Sequence, residues 1–293
     1  MTNAVALRGE ISDVVASKVK QFQQSGEIHL PANYSPENAM KSAWLILQNT
    51  QDRDKKPVLT SCTKESIMNS LLDMVVQGLN PAKQQCYFIA YGNQLACQRS
   101  YFGTMAVAKQ VDDTIAEIIA EVVYEGDTFK YAIARGKKEI TVHEQALENV
   151  NGKKIKAAYC MIIDIDGAIR KTEIMTFDEI KQAWGQSQMR PIDEKGNIKS
   201  GSTHDKFTAA MAKKTVINKA CRPIINTSSD SHLLRQSISR SDEMRAEVGV
   251  AGEIEANANT TPIDIVEAEY ENIPADEPQD AGEQQAILDG PDF

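Results

Sequence analysis

Apolar residues recur at helical spacing through the first part of the chain. Ile11, Val15, Val19 and Phe22 place one apolar face on a helix over about 9–24. After a loop near Gly26, Ser35 precedes Pro36, the N-cap and first-position pair that opens a helix. Met40, Trp44 and Leu47 mark its buried face. A third helix begins near Thr63, carries Ile67, Leu71 and Val75, and stops at Gly78 with Pro81 just beyond.

The period then changes to two. CYFIAY and QLACQR, joined by Gly92-Asn93, read as a β-hairpin. Pairing about that turn puts Tyr87, Ile89, Tyr91, Gln94, Ala96 and Gln98 on one face, and Cys86, Phe88, Ala90, Leu95, Cys97 and Arg99 on the other. SYFGTMAVAKQ reads as a short helix. Strand alternation resumes over about 114–143, with turns near Gly126 and Gly136, and a further hairpin over 155–175 turns at Asp166-Gly167. Thr176 and Glu179 form a capping box for a helix through Trp184. Residues 186–201 read as an exposed loop. Ser202 or Thr203 caps a basic helix that Arg222-Pro223 ends, and 224–240 adds a turn and one short helix. The predicted class is α+β, with central antiparallel strands and hairpins flanked by helices.

Charge changes this picture in two places. Residues 241–293 hold 15 Asp or Glu and one Arg, whereas 1–240 carries a net charge of +5. The tail has few large apolar residues, so a disordered acidic C-terminal tail is predicted. The organisation expected is an N-terminal helical segment over 1–35, a core over 36–240 and the tail over 241–293. Within the core, residues 195–222 hold seven Lys or Arg against one acid, Asp205. Concentrated positive charge repels itself unless an anion approaches it, and a nucleic acid is the first candidate. A solvated helix face is the competing account. Against it, Lys206 and Lys213 lie two turns apart with Lys214 beside them, and interspersed acids are missing. Lys219 and Arg222 continue the charge, Thr215 and Asn218 supply polar donors, and His204 sits at the mouth of the helix. Arg99 and Tyr101, after the first hairpin, are candidates to join the same positive groove.

Other chemistry is sparse. GNIKSGST at 196–203 approaches a phosphate-binding loop, but Ser202 stands where the loop needs Lys. Asp164 or Asp166 with Glu179 and Lys181 resembles a nuclease metal set, but Glu179 and Asp166 already have capping and turn roles. The four His show no metal-ligand spacing. No catalytic residue, metal ligand or cofactor is therefore predicted. The N-terminus does not read as a signal peptide, and no apolar run reaches the length of a membrane span. Five Cys without CxxC spacing fit reduced thiols and a cytoplasmic protein.

The run GLNPAKQQCYFIAYGNQLACQRSYFGTMAVA, the block AEVVYEGDTFKY and the segment STHDKFTAAMAKKTVINKACR occur in that order. Together they resemble the RecT family of phage and prophage single-strand annealing recombinases, over roughly residues 40–235. The shared features are a helix ending in Gly-Leu before Pro81, a strand with Tyr87, Ile89 and Tyr91, an aromatic-Gly turn into a helix, and the basic helix. The chain departs at Arg99-Ser100-Tyr101-Phe102-Gly103, where a Lys in the turn is usual, so that contact is not carried over. The resemblance implies a protein that binds single-stranded DNA and anneals complementary strands without ATP, as an oligomeric ring or helical filament in a bacterial host cell. Its implied partners are single-stranded DNA, the annealed duplex, a phage exonuclease and a host single-strand binding protein. Two other classes stay open: a metal-dependent nuclease, and a protein that protects single strands without annealing them.

Overall fold

The computed structural model describes residues 2–186, 191–228 and 232–247. Four helices open the chain: α1 (Thr2–Gln24), α2 (Pro36–Asn49), the single turn α3 (Val58–Ser61) and α4 (Lys64–Val76). Their ends follow local chemistry. The Ser35 hydroxyl accepts from Asn38 N and the Thr63 hydroxyl from Ser66 N, each at 3.2 Å. Gly78 adopts φ +63°, and Leu79 N donates to the Met74 carbonyl, a Schellman close for α4. Ile11, Val15 and Val19 are buried in the same core as α2 and α4, so the N-terminal segment packs into the body.

The hairpin β1 (Cys86–Tyr91) and β2 (Gln94–Arg99) turns at Gly92 with the register Tyr91↔Gln94 and Tyr87↔Gln98. Cys86, Phe88, Ala90, Leu95 and Cys97 join the main core, and Ile89, Tyr91, Ala96 and Gln98 of the other face are buried as well. Helix α5 (Tyr101–Val111) follows directly. A three-stranded antiparallel sheet comes next, with β6 (Ile155–Asp164) between β3 (Ile115–Tyr124) and β7 (Ile169–Thr176). Strands β4 (Thr128–Ala134) and β5 (Lys137–Glu144) form a separate hairpin. Its Phe129 and Ile140 pack on Val123, Ala157, Tyr159 and Ile174, covering one face of the sheet. The buried carboxylate of Asp127 fixes this hairpin by accepting from Tyr124 N, Gln145 and Asn149.

The opposite face of the sheet, with Val122, Ala158, Cys160, Ile162 and Met175, joins the main core. Helices α6 (Phe177–Gly185), α7 (Thr203–Lys206), α8 (Thr208–Thr227) and α9 (His232–Glu247) complete the fold. The capping box of Thr176 and Glu179 is formed at the start of α6. The arrangement is α+β, as expected.

Three local expectations are corrected. The segment after 190 is a small tied hairpin, with Ile192 opposite Ile198, both packed against the core, and Asp193 accepting from Lys195 N and Asn197 N. The basic segment is broken at Phe207, where φ −128° and ψ 45° interrupt the helix between α7 and α8. Helix α8 continues through Pro223 to Thr227. Proline removes one helical hydrogen bond, but burial of Ile225 beyond it keeps the chain helical. Helix α9 runs on past residue 240 to Glu247. The rest of the predicted tail, 248–293, lies outside the described residues.

Candidate nucleic-acid interface

Helix α8 lies between the sheet and α5. Its apolar positions Ala212, Val216, Ile217, Ala220 and Cys221 are buried. Fixing that face aims a second one outward. Ala210, Lys214, Asn218, Arg222 and Asn226, each four residues apart, line one wall of a cleft of about 470 Å³. The other wall comes from the first hairpin and the start of α5: Tyr87, Gln98, Arg99, Tyr101 and Phe102. Arg99 and Tyr101 thus line the same cavity as Lys214, Asn218 and Arg222, and no Asp or Glu is among its described lining residues.

The hairpin side is held firmly. Arg99 Nη1 donates to Gln77 Oε1 at 2.8 Å, and Gln77 Nε2 donates to Ser237 Oγ at 3.1 Å, which ties the cleft to α9. Ser100 caps α5 by accepting from Gly103 N at 3.1 Å. A Cβ at Gly103 would collide with the Gln85 carbonyl, so glycine is required for α5 to start this close to the hairpin. Burial raises the pKa of both Tyr87 and Tyr101, keeping these phenols neutral donors.

The remaining basic residues have other settings. Lys213 lines the cleft, yet its ammonium is 2.7 Å from Glu121 of β3. Lys219 is 3.4 Å from Glu173 of β7, outside the cleft lining. The Thr215 hydroxyl accepts from Trp184 Nε1 at 2.8 Å and donates to the Met211 carbonyl, so it pins α8 to α6. Lys206 is exposed beside Phe207, at the end of α7 and before the break that precedes α8. The expectation for His204 is corrected. It is 3% exposed with its ring 4.7 Å from that of Trp184, so it packs the α6–α7 seam instead of opening to solvent.

The alternative metal set is not assembled. Asp164 pairs with Arg170 at 2.9 Å, Glu179 caps α6, and Lys181 pairs with Asp178 at 2.8 Å. Among the described residues no group of three or more His, Cys, Asp or Glu is placed to hold a metal ion.

Sequence reasoning missed Phe102 and Asn226. Its pairing of Lys206 with Lys213 also missed the stripe. The signal was present as an acid-free i, i+4 series from Lys206 to Asn226, but several i, i+4 series run through this segment and only packing selects one.

An α+β scaffold carrying a donor-rich cleft beside a basic helix is suited to a polyanion. The RecT family model matches residues 37–260, and the chain belongs to that family. The general role of the family is in DNA recombination, through binding and annealing of single-stranded DNA. No curated protein matches the chain. No helix of the described residues is long and apolar enough to cross a membrane.

Proposed function

We propose that the chain binds single-stranded DNA along the outer stripe of α8 and anneals complementary strands without ATP, acting as an oligomer. The observation that carries this reading is the joining of Lys214 and Arg222 to Arg99 and Tyr101 across one cleft whose described lining residues include no Asp or Glu. Phosphates held there release counterions, which supplies affinity independent of sequence. From Ala210 to Asn226 the stripe spans about 24 Å. At the roughly 3.4 Å spacing of stacked nucleotides this is about seven phosphates, and fewer when the strand is stretched. One subunit therefore grips a short length, and a ring or filament multiplies the grip through effective concentration. The incoming strand supplies base pairing as the driving energy, so the reaction needs no nucleotide fuel.

The test mixes two complementary end-labelled oligonucleotides with the protein in the absence of ATP. Acceleration of pairing, together with DNA-dependent assembly in light scattering, is expected. Binding without acceleration would assign the chain to strand protection instead. Magnesium-dependent degradation that disappears in Glu179→Ala would assign it to nuclease chemistry.

A further inference from the structure

The cleft contains more than phosphate binding requires. Phosphate contacts are made on open cationic surfaces. Here a donor rim stands over an apolar floor of Met105, Met211, Ile217 and Ile225. Phe102, among the lining residues, is 41% exposed, so its ring is accessible from the cleft. Its ring centroid lies 4.0 Å from that of Tyr101, with the planes 32° apart, and Tyr101 packs on the core behind it. Phe102 is thus a braced platform. Concave apolar floors with a few placed polar groups suit flat, amphipathic ligands, and a volume of about 470 Å³ falls within the pocket range of roughly 300–1,000 Å³.

Resting on the reading of the cleft as a single-strand DNA site, we propose that it admits one unpaired nucleobase, stacked on Phe102. Lys214 and Arg222 hold the phosphates beside that nucleotide. The amides of Asn218 and Asn226 on the cleft wall are available to the base edge. A base has a π-face whatever its identity, so the contact tolerates any sequence. It also sets one nucleotide per subunit aside from pairing. Annealing then starts on the bases that remain outside, and the stored base is released as the duplex forms.

Two fluorescent oligonucleotides of equal length and charge test this, one of thymidines and one abasic throughout. The wild-type protein is expected to bind the thymidine strand about tenfold more tightly, with similar salt slopes for both. Phe102→Ala should remove most of that preference and keep the slope. Phe102→Trp should restore it, with additional indole emission quenched by the thymidine strand and not by the abasic one; the native Trp44 and Trp184 are buried. Equal wild-type affinity for both strands, or an unchanged preference in Phe102→Ala, would overturn the base pocket while leaving the backbone site standing. Binding of neither strand would overturn the single-strand reading itself.

Discussion

Lys213 and Lys214 are adjacent in the chain and face different surfaces. Lys213 meets Glu121 at 2.7 Å, and one turn and a half further on Lys219 meets Glu173 at 3.4 Å. Lys214 and Arg222 lie on the wall of the cleft, whose described lining residues include no Asp or Glu; Lys213 also reaches that lining but turns its ammonium to Glu121. Positive charge counted along the segment is therefore not equivalent. A cation already beside a carboxylate gains less from a phosphate, because the phosphate must compete with that partner and repels it. The sheet side of α8 uses its charge to seat the helix. The cleft side carries the charge that the proposed function uses for recognition.

The sharpest way to break this comparison is a pair of double variants. Lys214→Ala with Arg222→Ala should weaken single-strand DNA binding about 30-fold or more. It should also flatten the dependence of log affinity on log salt by about 1.4 units. Lys213→Ala with Lys219→Ala should cost less than about threefold in affinity. Equal losses from the two doubles in a salt titration would erase the distinction between the sides.

A more buried pair involves Asp73, which accepts from Arg240 Nη1 at 3.1 Å. Burial pushes its carboxyl up to about 6 despite the opposing pull of Arg240. Its native pKa thus exceeds its unfolded value, so the folded protein binds the proton more readily. The contribution of this group to stability is fully present below about pH 4 and falls as pH rises through about 6. Asp73→Asn lacks that fall. In urea unfolding, the stability of the variant minus that of the wild type should increase by at most about 3 kcal/mol between pH 4 and pH 7. A difference that stays flat with pH would mean that pairing with Arg240 offsets the burial fully.

A smaller effect concerns competition for the cleft. Residues 248–293 contain twelve acids and no Lys or Arg. A chain ending at Glu247 keeps α9 whole and should bind DNA a fewfold more tightly at low salt. The gain should vanish near physiological salt, where the screening length is about 8 Å. Equal affinity of the two chains at low salt would show that this acidic segment does not visit the cleft.

Much of the fold was legible because its determinants are local. Ser35-Pro36, Gly78, Gly92 and the Thr176–Glu179 pair each act within a few residues, and the structure places them as their chemistry dictates. The misreadings came where distant packing outweighed a local signal. Arg222-Pro223 is a stop signal, yet burial of Ile225 carries α8 past it. His204 is a polar residue at the start of a basic segment, yet Trp184 covers it. The loop after 190 is polar in composition, yet Ile192 and Ile198 anchor it.

The functional surface divides in the same way. Clustering of Lys and Arg in residues 195–222, the acidity of the last fifty residues and the ordered motif blocks are properties of the text, because charge and composition do not depend on a partner. Which lysines line the cleft is not such a property. It follows from the burial of Val216, Ala220 and Cys221 beside the sheet, which fixes the rotation of α8. That rotation places Lys213 within reach of Glu121 and turns Lys214, Asn218 and Arg222 toward Tyr101 and Phe102, more than a hundred residues earlier in the chain. Helical periodicity offers several faces of comparable polarity, and only the contacts made by the apolar face select the one that lines the cleft.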